Sequence, residues 1–314
     1  MDERYDVVVN EEGARSIWPV ARGEPPRGWR TIGQTHDRAG CLAWIEAASS
    51  GAGRAEAAPT LQPKLARSPG AAAVVPFPRS GATSRLLVFP HAGAGVTYYH
   101  FLAKALVDTS VQVVLVLYPG RELRMREEPI QSMDTLVDLL AEELGAYWAE
   151  GLPFSFLGHS MGALAAFELT HRLREQGEPL PRRLFLSGRQ PPHAATNVLR
   201  MAGLSDDAFL DAVGHRYGAI PKAILENRDL CQLILRSMRA DFVLMEGYRW
   251  RERAPLTVPI TLLNGRADRW IDEAVVTEWS RYTTAAVDSH IFTGDHFYLA
   301  AQAAALRDLV LRNA

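Results

Sequence analysis

Residues 154–173 read FSFLGHSMGALAAFELTHRL and carry the strongest indication of fold class in the sequence. Residues 154–157 predict a short buried strand, and residues 163–173 carry apolar side chains at helical spacing. Between them stands Gly158-His159-Ser160-Met161-Gly162, the G-x-S-x-G pattern. In this pattern a serine lies on a sharp strand-to-helix turn, and the glycines leave room for that turn. The stretch predicts that Ser160 is a nucleophile; the alternative, an ordinary turn serine, is disfavoured by the flanking strand and helix.

Strand and helix patterns alternate through most of residues 84–314. The predicted strands are 85–89, 111–117, 154–157, 184–187, 260–263 and 286–292, and the main predicted helices are 98–107, 136–148, 163–173 and 297–311. Such alternation is typical of a mostly parallel sheet with helices on both faces. Residues 191–250 interrupt it with helical patterns alone, and they predict an inserted helical lid that controls access to the site.

A nucleophilic serine needs a general base, and the base needs an orienting acid. His296 follows the last predicted strand and is the predicted base; the alternative role is to cap the last helix. Asp268 follows the preceding strand and is the predicted acid. Asp272 could instead cap the next helix, and Asp295 is a poor candidate because it adjoins His296. The order Ser160, Asp268, His296 along the chain is that of the α/β-hydrolase fold.

A glycine-rich loop, Phe89-Pro90-His91-Ala92-Gly93-Ala94-Gly95, follows the first strand of this domain. In this fold such a loop supplies a backbone N–H to an oxyanion hole, and Ala92 is the predicted donor. The second predicted donor is Met161 N–H, at the start of the helix after the serine. A phosphate-binding loop is disfavoured, because the lysine of a P-loop and the G-x-G-x-x-G spacing are both missing. The sequence shows no metal-ligand pattern, and we expect neither a metal nor a cofactor.

Residues 1–47 have a pattern of their own. Strands are predicted over 5–9, 15–18 and 29–32, followed by a helix over 38–47. A three-stranded sheet with one helix is small, and units of this size are marginally stable alone. Residues 48–83 are rich in Ala, Gly, Pro and Ser and predict a linker of mixed flexible and polyproline character. The larger domain is then expected to occupy residues 84–314.

Composition excludes several classes of function. Lys plus Arg number 34 and Asp plus Glu 36, for a net charge of -2, which argues against a nucleic-acid partner. The longest apolar stretches are far shorter than the ~20 residues that span a bilayer, so no membrane partner is expected. Cys41 and Cys231 are too few for a disulfide framework. Residues 1–4 precede no apolar segment typical of a secretory signal, and we expect a cytoplasmic protein.

Residues 84–314 resemble a type II thioesterase of nonribosomal peptide and polyketide synthesis. The matching segments are LVFPHAG (87–93), YPGRE (118–122), GHSMG (158–162), SGR (187–189), LRSMRADF (235–242) and GDHF (294–297). The resemblance implies hydrolysis of acyl, aminoacyl or peptidyl thioesters on the phosphopantetheine arm of carrier proteins, with Ser160, Asp268 and His296 as the triad. Ala94 stands where a glycine is usual. The elbow alone does not exclude an esterase or lipase of small free esters.

Residues 1–47 resemble an MbtH-like protein, the small partner of adenylation domains. The matching segments are NEEG (10–13), SIWP (16–19), PRGW (26–29) and CLAWIE (41–46). The resemblance implies that the face bearing Ser16, Trp18 and Trp29 receives a small side chain of an adenylation domain. From the residues alone, packing in a small core is the favoured role of the two tryptophans. Arg15 stands where an aromatic residue or His is usual, and residues 47–53 replace the family's C-terminal Trp-containing stretch.

A third hypothesis makes the chain chiefly an adenylation-domain binding module with a secondary hydrolase. The complete set of Ser160, Asp268 and His296 argues against this hypothesis, because a vestigial hydrolase need not retain all three.

Overall fold

The computed structural model describes residues 4–10, 15–25, 28–37, 40–41, 66–67, 72–197, 200–217 and 228–313. The chain divides into two compact units, Met1–Gln62 and Pro63–Ala314. The first unit contains a small antiparallel sheet, and the second contains a large mixed sheet with helices. Within the described residues, no helix combines the length and hydrophobicity needed to cross a bilayer.

The N-terminal unit is built around strand β1 (Tyr5–Asn10). It lies between β2 (Arg15–Pro19) and β3 (Trp29–His36) and pairs antiparallel with both. Val7 and Val8 are buried at the centre of the sheet. These three strands confirm the predicted sheet. Most of the predicted helix over 38–47 lies outside the described residues.

The larger unit is organised by one sheet, for which the described residues give eight strands in the order β11-β10-β9-β8-β6-β7-β5-β4. The strands are β4 (Ala66–Arg67), β5 (Ala73–Val75), β6 (Ser84–Phe89), β7 (Val111–Val116), β8 (Phe154–His159), β9 (Leu184–Ser187), β10 (Ile260–Gly265) and β11 (Val287–Phe292). The strands from β6 to β11 run parallel, and β5 and β4 complete the β7 edge in antiparallel pairing. The alternation in the sequence therefore predicted the parallel part of the sheet.

Helices cover both faces of this sheet. They are α1 (His100–Ala105), α2 (Met133–Glu143), α3 (Gly145–Ala149), α4 (Met161–Gln176), α5 (Asp206–Tyr217), α6 (Arg228–Gly247), α7 (Glu273–Val276) and α8 (Ala303–Asn313). Along β6, Leu87 and Phe89 enter the core that α2 and α4 share. Leu86 and Val88 enter a second core with α1 and α8. Because both faces are covered, the strand is apolar at consecutive positions rather than at alternate ones.

The chain builds the sheet outward from β6 in two directions. It first forms β7 on one side, then returns to form β8 on the other side and continues to β11. A reversal of this kind leaves a crevice beyond the carboxyl ends of the two strands at the switch point, which are β6 and β8 here. The glycine-rich loop follows β6, and Ser160 follows β8. The topology alone thus brings these two segments to one place.

The prediction of a linker is wrong for the C-terminal part of residues 48–83. Ala73–Val75 forms β5, in which all three residues are buried and Val74 pairs with Leu115 of β7. Arg79 donates to the carbonyl oxygens of Val107 and Thr109 and fixes the chain that follows. The run was missed because three apolar residues among Ala, Gly and Pro are too short to show a strand pattern. Residues 48–65 and 68–71 of the predicted linker lie outside the described residues.

The described part of residues 191–250 is helical, as the sequence predicts. Helices α5 and α6 pack together through Phe209 and Phe242, which are buried with ring centroids 5.3 Å apart in edge-to-face geometry. The Arg239 guanidinium lies 4.5 Å from the Phe209 ring centroid and pairs with Asp206. The two helices therefore form one packed layer.

Candidate active site

Ser160 occupies a strained backbone conformation between β8 and α4. Its φ is 54° and its ψ is -113°, a combination that costs an L-residue about 1–3 kcal/mol and is found at functional sites. A Cβ on Gly158 would collide with the Gly162 carbonyl oxygen, and one on Gly162 would collide with the Phe89 carbonyl oxygen. The two glycines of the pattern are therefore needed for the close approach of β8, α4 and the end of β6.

The side chains of His296 and Asp268 meet beyond the carboxyl-terminal ends of β11 and β10, which they follow in the chain. His296 Nδ1 lies 2.6 Å from Asp268 Oδ2, and both side chains are buried. Asp268 Oδ1 accepts a hydrogen bond from Trp270 N at 3.1 Å, which fixes the carboxylate plane. A carboxylate on Nδ1 places the Nδ1–H tautomer on His296 and leaves Nε2 able to accept a proton.

The strand next to the serine connects it to this pair. Ser160 N donates to the Ser187 carbonyl oxygen at 2.8 Å. A Cβ on the following residue, Gly188, would lie 3.2 Å from His296 Cε1. The backbone at Ser187 and Gly188 therefore lies close to both the elbow and the His296 imidazole.

The two other candidate acids are engaged elsewhere. Asp272 caps α7, because its Oδ1 accepts from Ala274 N at 2.9 Å. Asp295 Oδ1 accepts from Phe297 N at 2.9 Å. All three carboxylates accept from a backbone N–H two residues along, but of the three Asp268 is the one whose other oxygen faces the imidazole.

The two predicted oxyanion donors lie on adjacent segments. Met161 is the first residue of α4 and is fully buried, and Ala92 lies in the loop after β6. A Cβ on Gly162 would lie 2.6 Å from the Pro90 carbonyl oxygen, so the start of the helix packs directly on the start of the loop. A helix N-terminus presents N–H groups with a favourable dipole for a developing negative charge.

A hydrogen-bonded chain of buried polar side chains lies next to the His296 imidazole, and its members were not among the predicted site residues. His159 Nδ1 lies 2.9 Å from Ser187 Oγ, which in turn lies 2.8 Å from Tyr298 OH. The His159 ring centroid is 4.8 Å from that of His296 and 5.4 Å from that of His91. No local pattern predicts this cluster, because its members lie at or beyond the ends of four different strands.

Burial keeps two of these imidazoles uncharged. Desolvation lowers the pKa of His159 well below its usual range, and the neighbouring His296 lowers it further. Desolvation likewise lowers the pKa of His91 to about 3. Both rings are therefore neutral at pH 7, so neither repels a proton that arrives on His296.

In the N-terminal unit, the register places the predicted contact residues on one face. Ser16 and Trp18 of β2 and Trp29 of β3 each stand opposite an even-numbered residue of β1. Those partners are Val8, Asp6 and Asn10, respectively. Alternate residues of a strand and their cross-strand partners point to the same face of a sheet. Ser16 is exposed and both tryptophans are half-buried, so neither tryptophan is a core residue of the described sheet.

Comparisons with known proteins agree with both units. Residues 84–312 match the thioesterase domain family, and residues 1–50 match the MbtH-like protein family. Gramicidin S biosynthesis protein GrsT of Aneurinibacillus migulanus is 32% identical over 70% of this chain and 84% of its own length. Thioesterase PikA5 of Streptomyces venezuelae is 33% identical over 71% of this chain and 78% of its own.

Solved structures give the same result. The type II thioesterase BorB from the borrelidin biosynthetic cluster superposes with a TM-score of 0.70 and 30% identity, covering 77% of this chain and 97% of its own. The matched family acts on thioesters, and the α/β fold, the elbow and the sheet order are those expected of it. The chain therefore belongs to the thioesterase family, and it carries an MbtH-like segment ahead of its thioesterase domain.

Proposed function

We propose that the chain is a type II thioesterase that hydrolyses acyl, aminoacyl and peptidyl thioesters from the phosphopantetheine arm of carrier proteins in nonribosomal peptide or polyketide synthesis. The observation that carries this proposal is the contact of 2.6 Å between His296 Nδ1 and Asp268 Oδ2. It lies at the carboxyl-terminal end of the parallel strands, where Ser160 also has its strained conformation. The relatives support the substrate class, since GrsT is a gramicidin S biosynthesis protein and BorB is a type II thioesterase from the borrelidin biosynthetic cluster.

Acylation begins with attack of Ser160 Oγ on the thioester carbonyl carbon. His296 Nε2 accepts the hydroxyl proton, and Asp268 holds the ring and stabilises the imidazolium that forms. The N–H groups of Met161 and Ala92 stabilise the tetrahedral oxyanion. When the intermediate collapses, the C–S bond breaks and the pantetheine sulfur leaves, taking the proton from His296. The leaving thiol needs less protonation than an alcohol, because thiols ionise near a pKa of ~8.5.

Deacylation repeats this sequence with water. His296 removes a proton from a water molecule, the hydroxide attacks the acyl-Ser160 carbonyl, and the same two N–H groups stabilise the second oxyanion. Collapse breaks the ester bond, returns the proton to Ser160 Oγ and releases the free acid. We propose that the protein needs no cofactor of its own, since the phosphopantetheine arrives with the substrate.

The test is a panel of acylated holo-carrier proteins followed by intact-protein mass spectrometry. We expect the full chain to return each susceptible carrier to the free-thiol form, and Ser160→Ala to leave it acylated. Parallel assays with p-nitrophenyl esters measure the competing activity on free esters. We expect kcat/KM on acyl-carriers to exceed that on free esters by roughly 100-fold, because binding of the arm contributes to the transition state. A clear preference for free esters would identify a general esterase instead.

We further propose that the MbtH-like segment binds an adenylation domain through Ser16, Trp18 and Trp29. Their shared face supports this role, and Trp18 Nε1 donates to the Gly23 carbonyl oxygen at 3.0 Å, which orients its ring. Half-exposed tryptophans on one face are the kind of side chains that dominate binding energy at interfaces. Binding would hold the thioesterase near the carriers of one synthetase and raise the local concentration toward the millimolar range.

Isothermal calorimetry of the full chain with the adenylation domains of its own biosynthetic cluster tests this second role. We expect one adenylation domain to bind, and binding to none of them would restrict the chain to its hydrolase activity. We place both activities in the cytoplasm, where free thiols such as those of Cys41 and Cys231 stay reduced.

A further inference from the structure

The glycine-rich loop after β6 is held by a carboxylate from helix α6. Asp241 Oδ2 accepts from Gly93 N at 2.7 Å and from Arg121 Nη1 at 2.8 Å. Asp241 Oδ1 accepts from Arg121 Nη2 at 2.7 Å. Arg121 Nη1 also donates to the Ala94 carbonyl oxygen at 3.2 Å. The two side chains thus bind the loop on both sides of Gly93.

This ion pair is deeply buried, with 6% of Arg121 and 3% of Asp241 exposed. A buried pair of this kind is often no more stabilising than two apolar residues of the same volume, because both charges lose their hydration. A contribution to folding stability therefore does not explain why this ion pair is buried here. A geometric reason exists, since two rigid forks fix the plane of each peptide unit that they bind.

The bound peptide unit is the one that follows Ala92. A hydrogen bond to Gly93 N fixes the Ala92–Gly93 peptide plane, and Gly93 has a φ of 77° that few other residues adopt. The His91 carbonyl oxygen accepts from Ala94 N at 3.1 Å and closes a turn around this unit. The direction of Ala92 N–H, one peptide earlier, depends on this turn.

The residue after Arg121 holds the other end of the loop. Glu122 Oε2 accepts from Val96 N at 3.0 Å, and Glu122 Oε1 accepts from Thr97 N at 3.1 Å. Glu122 has a φ of 45°, and a Cβ on Gly95 would collide with its carboxylate. The strained backbone of Glu122 is tolerated here because it directs two consecutive side chains, Arg121 and Glu122, onto one loop.

We propose that Arg121 and Asp241 are positioning residues for the oxyanion hole: they couple helix α6 of the inserted helical segment to the orientation of Ala92 N–H. This inference rests on the proposed function. Met238, one turn before Asp241 on α6, reinforces the coupling, since a Cβ on Gly93 would lie 2.8 Å from Met238 Cε. Helix α6 cannot shift without releasing Gly93 N, so its position decides whether the second oxyanion donor is aligned.

Asp241→Asn tests the coupling, because it keeps the size of the side chain and removes one acceptor and the charge. The measurements are kcat and KM on an acyl-carrier, and the inhibition constant of a trifluoromethyl ketone analogue of acyl-pantetheine. This ketone forms a tetrahedral adduct that carries the oxyanion. Loss of a whole oxyanion donor costs about 100- to 1,000-fold in kcat, and a misaligned donor costs less. We expect kcat to fall 10- to 100-fold, the inhibition constant to rise by the same factor, and KM to change less than 3-fold, each as a rough figure.

A double variant distinguishes loss of oxyanion-hole alignment from misfolding caused by an unpaired buried charge. In Arg121→Leu/Asp241→Leu no charge is left buried and unpaired, so the fold should be retained, but Gly93 N has still lost its acceptor. We expect the same parallel loss of kcat and of affinity for the ketone.

Glu168→Gln is the matched control. The Glu168 carboxylate is buried on α4 and accepts from Arg253 Nη2 and Tyr248 OH without contact to the loop. We expect a comparable loss of stability, with kcat and the inhibition constant unchanged within about 2-fold.

Three outcomes would overturn the coupling: folded variants of Asp241 with the wild-type inhibition constant, a loss confined to KM, or an equal loss of kcat in Glu168→Gln. Failure of the wild-type protein to hydrolyse every acyl-carrier would overturn the proposed function instead. The ketone measurement would still report on the oxyanion hole in that case.

Discussion

The two units of this protein use a central strand in different ways. In the thioesterase domain, β6 is buried at all six positions, and its successive side chains enter two separate cores. In the MbtH-like unit, β1 buries Val7 and Val8 and leaves its other four residues partly exposed. A sheet covered on both faces can hold strained backbone such as that of Ser160, since the surrounding packing over-determines it.

The smaller sheet has a different use. Its two half-buried tryptophans share a face with Ser16, and a small domain that buries little surface gains stability by covering such a face with a partner. The comparison supports the proposed division of functions, with chemistry in the larger unit and partner binding in the smaller one. Each of the following predictions tests that division.

Ser160→Ala has the largest expected effect. Removal of the nucleophile should lower kcat on acyl-carriers by ~10⁴-fold or more and abolish the acyl-enzyme seen by intact mass. Circular dichroism and the affinity for the adenylation domain should stay at wild-type values, because neither depends on the hydroxyl. Turnover close to that of the wild type would show that the nucleophile lies elsewhere.

Asp268→Asn should cost about 10³- to 10⁴-fold in kcat, because the amide favours the wrong tautomer of His296. Asp295→Asn is the matched control: the Asp295 carboxylate accepts from Phe297 N, and an amide oxygen can do the same. Its kcat should stay within a few-fold of wild type. Steady-state rates on one acyl-carrier compare the two variants, and the reverse order of effects would move the acid to Asp295.

Trp18→Ala and Trp29→Ala test the other half of the division. Each should weaken adenylation-domain binding by roughly 30-fold or more, the loss typical of an interface hot spot, while kcat on free carriers stays unchanged. Arg30→Ala is the control, because Arg30 is exposed and stands opposite Val9, on the other face of the sheet. Calorimetry measures all three variants, and an equal loss in Arg30→Ala would contradict a single binding face.

The smallest expected effect concerns acid stability and belongs to the larger unit. Burial lowers the pKa of His91 and His171 to about 3 and that of His159 well below its usual range. Below pH ~6.5 these histidines therefore bind protons in the unfolded chain but not in the folded domain. Stability is therefore at its full value above that pH and declines as the pH drops below it, because the folded domain must then give up these neutral imidazoles.

His171→Asn isolates one of these protons, because an amide oxygen can replace the Nδ1 that lies 3.0 Å from Arg174 Nη2. We expect the slope of unfolding free energy against pH, measured by urea denaturation at 222 nm between pH 6 and pH 4, to fall by about one proton. An unchanged slope would show that His171 is protonated in the folded domain as readily as in the unfolded chain.

Local patterns predicted much of the larger unit. Runs of apolar residues located six parallel strands, and the strained elbow followed from two glycines around Ser160. Topology then reduced the candidates for base and acid, because catalytic side chains of this fold follow particular strands. The short strand Ala73–Val75 escaped prediction, since its signal comes only from pairing with β7.

The sequence by itself is enough to predict Ser160, Asp268 and His296 as the candidate triad, because each follows a strand whose apolar pattern is local and strong. Only tertiary packing determines which carboxylate faces the imidazole, that Trp18 and Trp29 share a face, and that Asp241 pairs with Arg121 at a sequence separation of 120. Strand register and long-range ion pairs depend on how elements pack against each other, and nothing within a few residues of either partner encodes them.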